Sequence, residues 1–155
     1  MSSYLDYAGR KVDVLAFRGA KRAGNVQLDP DLVGASSGSI CTGIQMLAQD
    51  WLLEFFKSSG SAKYAPDSGC DFMSLFRRNR IRTELDVFQI FNLSQGVIRA
   101  NMLRKESASD SDDERFSSAK LEKVTISANR LSLVVRITAV SGRNRKIILP
   151  IPIVV

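Results

Sequence analysis

The chain has 155 residues, 22 of them basic and 16 acidic, for a net charge of +6, and it contains no histidine. That length suits one domain with a sizeable core. The missing histidine excludes Ser-His and Cys-His nucleophile activation and any histidine metal site, and no apolar run is long enough to span a bilayer.

Residues 1–35 carry a short strand-like run, Val12–Phe17, among the breakers Gly19, Gly24, Asp29-Pro30 and Gly34. This stretch reads as an extended N-terminal arm, and 36–155 as a single domain. A first helix is expected from about Ile40 to Lys57, because Ile40, Ile44, Leu47, Trp51 and Phe55 recur every three or four residues. Ser37 or Ser39 can cap its start and Gly60 can stop its end. Cys41 and Cys70 lack metal-ligand spacing and read as buried, reduced thiols of a protein made and kept in a cytoplasm.

A loop shaped by Gly60, Pro66 and Gly69 leads to a short helical turn, Met73–Arg78. Arg77, Arg78, Arg80 and Arg82 follow. They suit a solvated loop, a phosphate patch or a set of carboxylate clamps. Thr83-Glu84-Leu85-Asp86 resembles a capping box and opens a second long helix. Its inner face is expected, imperfectly, at Leu85, Phe88, Phe91 or Asn92, Gln95, Ile98 and Met102, and Gly96 allows a break near Ser94–Gly96. Lys105–Arg115 is polar and acidic and reads as a mobile loop.

The last forty residues read as a three-stranded antiparallel meander: Lys120–Ala128, Leu131–Val140 and Arg145–Val155. The middle strand alternates cleanly, with Leu131, Leu133, Val135, Ile137 and Ala139 on one face. The last strand is apolar on both faces. Pro150 and Pro152 lie two apart, so their missing N–H groups fall on one edge, which is expected to be unpaired. Residues 116–155 hold seven basic side chains and one acid, so the positive charge of the chain sits on the meander. The fold class expected is α+β, two long helices and a short one packed on the meander.

The order of these parts resembles the baseplate wedge, or tail-sheath initiator, family of contractile-tailed bacteriophages, which has a relative in type VI secretion baseplates. The residues carrying the resemblance are Gly60-Ser61, Pro66-Asp67, Gly69-Cys70-Asp71, Leu75-Phe76 and the strand texts LEKVTIS and LSLVVRITAV, within Ile40–Ile151. It implies a non-enzymatic structural protein without cofactor, located in the virion tail baseplate after assembly in the host cytoplasm. Six copies would ring the tail tube, contact a wedge protein and template the first sheath ring by sharing strands. The family's Glu-Pro-Arg motif, which docks on a wedge partner, corresponds here to Glu114-Arg115 without the proline. Together with Arg82, Arg143, Arg145, Lys146, Ile148, Ile153, Val154 and Val155, these are the candidate partner-binding residues.

Two other readings compete. A basic nucleic-acid-binding module could use the arginines at 77–82 and the Arg143–Lys146 turn, but the sequence offers no aromatic stacking pattern beside them. A lysozyme-like hydrolase would need a protonated acid in an apolar site beside a second carboxylate. Glu54 is the only acid near an apolar cluster, and its helical neighbours Asp50 and Ser58 suggest a solvated face.

Overall fold

The structure is a computed structural model, and it describes residues 9–14, 17–22, 25–30, 40–128 and 130–153. Strands β1 (Asp13–Val14), β2 (Phe17–Arg22), β3 (Asn25–Pro30) and β4 (Ile40–Cys41) precede helices α1 (Gly43–Phe56), α2 (Phe72–Arg77) and α3 (Glu84–Lys105). Strands β5 (Phe116–Ser127), β6 (Arg130–Ala139) and β7 (Asn144–Pro152) complete the chain order. The expected α+β class and the antiparallel meander are present, with the helices packed on the face that alternation selects. On β6, Leu131, Leu133, Val135, Ile137 and Ala139 are all buried. Ile147, Leu149 and Ile151 of β7 and Leu121 and Val124 of β5 join them.

The helical layer closes over this face with an aromatic cluster. Trp51 stacks on Phe55 at 5.1 Å between ring centroids, and Phe72 lies 4.8 Å from Phe55. Phe91 of α3 meets both Trp51 and Phe55. Such ring pairs contribute about 0.5–1.5 kcal/mol each beyond their buried area. Trp51 is wholly buried, and its indole N–H donates to the Gln95 side-chain oxygen at 3.2 Å.

Several expected boundaries move. α1 begins at Gly43 with Thr42 as N-cap, and the proposed caps Ser37 and Ser39 lie outside the described residues. The capping box of α3 is complete: the Thr83 hydroxyl accepts from the Asp86 N–H, and the Asp86 carboxylate accepts from the N–H of Thr83. No break occurs at Gly96, and α3 runs unbroken over 22 residues. Its inner face is Val87, Phe91, Ser94, Ile98, Asn101 and Met102, whereas the expected Leu85 is exposed. Apolar residues occur on both sides of this helix, so periodicity alone could not choose between them.

The largest difference concerns the N-terminal stretch and the last strand. β2 and β3 form an antiparallel hairpin, and β3 runs parallel to β7, meeting it at Gln27 and Ile148. The sheet is therefore five-stranded, in the order β2-β3-β7-β6-β5, with β1 and β4 paired separately. The β7 edge expected to be unpaired has a neighbour. The registered contact with β3 lies upstream of Pro150 and Pro152, whose absent N–H groups cannot extend such a ladder.

Candidate partner interface

The open end of the meander is β5, a 12-residue strand whose only strand neighbour among the described residues is β6. Its pairing with β6 slips between Leu121 and Lys123, a bulge that places Glu122 outside the regular ladder. Glu122 is clamped by Arg136 at 2.5 Å and Lys146 at 2.9 Å. The Lys146 ammonium, with Arg136, holds its carboxyl below the usual range, although partial burial opposes them. Beyond the bulge the register is regular from Lys123 to Ser127, and Thr125, Ile126 and Ser127 are exposed. Exposed lysines and a bulge are common protections of a sheet edge, and here Lys120, Lys123 and the bulge confine an accessible edge to the last turn-proximal residues.

On the face away from the helices, Ile148 is half-buried opposite Val134, and Pro150 stands opposite Ser132. Arg145 and Ile153 are half-buried, while Val154 and Val155 lie outside the described residues. Part of the positive charge on the meander is paired: Arg136 and Lys146 with Glu122, and exposed Arg143 with Asp113 at 3.4 Å.

Glu114 and Arg115 directly precede β5, which begins at Phe116 rather than at the expected Lys120, and they face different ways. Glu114 is only 3% exposed and accepts from the Arg10 guanidinium and the Lys11 N–H, each at 3.3 Å. Arg115 is partly exposed and reaches Asp112 at 3.5 Å and Glu106 at 3.8 Å. The stretch expected to be a mobile loop is thus laced by bases from elsewhere: Lys11 pairs Asp110, and Arg10 pairs Asp113. Asp113 is held below its ordinary range by the Ser111 hydroxyl and Arg10, against the opposing effect of burial. These partners lie about a hundred positions away in sequence, beyond the reach of local composition.

Arg82 is exposed, and its backbone N–H donates to Asp86 at 3.0 Å. It closes a well-anchored loop. Asn79 takes a left-handed conformation (φ 55°), and Ile81 inserts into the core. Arg77, Arg78 and Arg80 are exposed and make no ion pair among the described residues.

No family model, no curated protein and no solved structure matches this chain.

Glu54 corrects the sequence reading. It does not lie on a solvated face: it is 2% exposed and accepts from the Gly69 N–H at 2.7 Å, the Asn101 amide at 3.1 Å and the Lys105 ammonium at 2.7 Å. Burial alone would raise its pKa, but Lys105, Gly69 and Asn101 together bring it below the ordinary value. Above Glu54's partners lies an open cleft of about 270 Å³, lined by Tyr64–Ser68, Asn101, Arg104 and Lys105. Its one carboxylate, Asp67, pairs with Arg104 at 3.1 Å.

A pH dependence follows. A depressed carboxyl stabilises the fold above its unfolded pKa, about 4.3 for Glu, and that contribution is lost as pH falls through the lower folded value. Thermal melts from pH 7 to pH 3 are expected to fall steeply on the acid side. Glu54→Gln should lower the neutral-pH melting temperature and flatten that acid limb. An unchanged acid limb would place the sensitivity elsewhere.

The two cysteines are free and buried. Burial, with Asp13 nearby, pushes the Cys41 thiol up to about 11, so neither redox nor nucleophilic chemistry is favoured there. Among the described residues, no group of His, Cys, Asp or Glu could hold a metal ion, and no helix is long and apolar enough to cross a membrane.

Proposed function

We propose that this protein is a structural, non-enzymatic component of a contractile phage tail baseplate, which joins the baseplate to the tube and starts the sheath by accepting a strand. The observation that carries the reading is the arrangement of sheet edges. β3 adjoins β7, which leaves β5 as the meander edge able to take an added strand. Strand addition draws its affinity from main-chain hydrogen bonds and needs no catalytic side chains. The added strand would lie along Lys123–Ser127, past the bulge. Six copies around the tube, a wedge protein and a sheath protein are the partners this role requires. Arg115 is the accessible half of the Glu114-Arg115 pair, and Glu114 contributes by holding the segment in place from inside.

The hydrolase alternative is weakened by Glu54. A general acid must be held protonated near neutrality, and Glu54 is held ionised by three donors. A nucleic-acid module would use Arg77–Arg82 and Arg143, but Arg143 is engaged by Asp113.

Proline substitutions test the edge. Backbone N–H groups of consecutive strand residues point to opposite sides, so of Thr125→Pro and Ile126→Pro one removes an outward N–H and the other breaks the ladder to β6. The outward variant should keep its melting temperature, enter baseplates and fail to start sheath. Normal sheath growth on that folded variant would move the sheath-binding surface away from β5.

A further inference from the structure

The outer side of α3 is unexpectedly apolar. Leu85, Leu93, Val97 and Leu103 are 65, 75, 46 and 46% exposed. At 3.6 residues per turn they fall, with Gly96 and Ala100, within about a third of the helix circumference, opposite the buried face, in a sector that also holds Gln89 and, at its two ends along the axis, Asp86 and Arg104. Gly96 has no structural reason inside the fold: a side chain there would meet nothing within 4 Å, yet glycine costs a helix about 1 kcal/mol relative to alanine. A bare glycine in the middle of an apolar face lets a second backbone approach closely. Before the start of the same helix stand Arg77, the last residue of α2, and the anchored loop carrying Arg78, Arg80 and Arg82. The first three have no ion-pair partner among the described residues, whereas Arg10, Arg104, Arg115, Arg136 and Arg143 are all paired.

We propose that the outer face of α3 and the arginine loop form one docking surface for an amphipathic helix of a different protein, with acidic residues clustered at the end that lies over Arg77–Arg82. Charge decides against a second copy of this chain. Antiparallel pairing of two α3 helices would bring the arginine loop of one against Arg99 and Arg104 of the other, and parallel pairing would set loop against loop. An acidic helix end meets the loop in either orientation, and guanidinium groups bind carboxylates through paired donors. Size explains why both parts are needed. A helix of 22 residues is about 33 Å long. A stripe one helix wide buries less than the roughly 800 Å² per partner of a standard interface, so the arginines supply the remaining contact and fix the direction. A nucleic acid would use the arginines but gain nothing from the four exposed aliphatic side chains.

The test uses the full chain and a fluorescent synthetic peptide, an amphipathic helix with leucine at every third or fourth position and a glutamate cluster at one end. Its controls are the same peptide with lysines replacing the glutamates, and a DNA duplex. The acidic peptide should bind, and the lysine peptide should not. Leu93→Gln, which removes buried apolar area, and the double change Arg78→Glu/Arg80→Glu, which removes the charge-assisted bonds, should each weaken binding about tenfold or more. Both variants alter exposed side chains, so unchanged melting temperatures verify their folding. The proposal is overturned if the acidic peptide does not bind, if the lysine peptide binds equally, or if DNA binds through the arginines with Leu93→Gln indifferent. Self-association abolished by Leu93→Gln would also overturn it, in favour of a homodimer. The surface lies on a different element from the β5 edge, so a Leu93→Gln variant that still starts sheath separates failure here from failure of the strand-addition reading.

Discussion

Gly69→Ala is expected to destabilise the protein by about 3 kcal/mol or more, through a left-handed conformation, a backbone collision and a disturbed buried hydrogen bond. Gly69 sits at φ +88°, where an added Cβ would lie 2.5 Å from the Lys57 carbonyl oxygen and 2.9 Å from that of Ser58. Both are main-chain atoms of the segment leaving α1, and neither can swing aside. The same segment is tied to this loop by the Cys70 N–H, which donates to the Lys57 carbonyl at 2.9 Å, and by the bridge between Ser58 and Cys70. Any shift that relieves the collision also pulls the Gly69 N–H from Glu54. Gly142→Ala is the control: Gly142 has a similar φ of +83° but open space around it, so only the conformational part, about 1–2 kcal/mol, should be lost. At roughly 2–4 °C per kcal/mol for a domain of this size, thermal melts should separate the two variants clearly. Equal melting temperatures would mean that the close approach at Gly69 is not rigid.

Leu133→Ala is the second large effect, a loss of roughly 2–5 kcal/mol. Leu133 is wholly buried at the middle of β6, between Val124 of β5 and Leu149 of β7, on the face closed by the helices. Truncation there opens a cavity under a layer of close-packed rings that cannot collapse into it. Val134→Ala, one residue on and facing the other way, removes a side chain that is only half-buried and should have a much smaller effect. If both variants melt alike, the assignment of faces on β6 is wrong.

The meander and the helical layer were legible because their signals are local. Alternation in Leu131–Ala139 selects a face without knowledge of any partner, and Thr83 with Asp86 announces a helix start within four residues. The misreadings share one cause, a partner distant in sequence. Glu54 looked solvated because Asp50 and Ser58 are its helical neighbours, while the groups that hold it, Gly69, Asn101 and Lys105, come from a loop and another helix. The acidic stretch before β5 looked mobile because its counter-charges include Arg10 and Lys11. The place of β3 was not legible at all, since a parallel pairing between strands more than a hundred residues apart leaves no local pattern in either. The imperfect periodicity of α3 reflects apolar residues on both of its sides, the buried Val87, Phe91 and Ile98 and the exposed Leu85, Leu93 and Val97.

The meeting of Gln27 with Ile148 has a consequence for the order in which the molecule is made. The β2–β3 hairpin leaves the ribosome early, but the strand it docks against is more than a hundred residues behind. At about 5–20 residues per second, the hairpin waits on the order of ten seconds with no sheet to join. The helices and the β5–β6 pair can form from contacts that are close in sequence, and such contacts assemble fastest. A hairpin made more than a hundred residues ahead of its partner strand is therefore late to find its place, and its docking closes the β7 edge only after β7 exists. Until then that edge is guarded chiefly by Pro150 and Pro152, which makes the two prolines a safeguard for the nascent chain as well as a feature of the finished sheet.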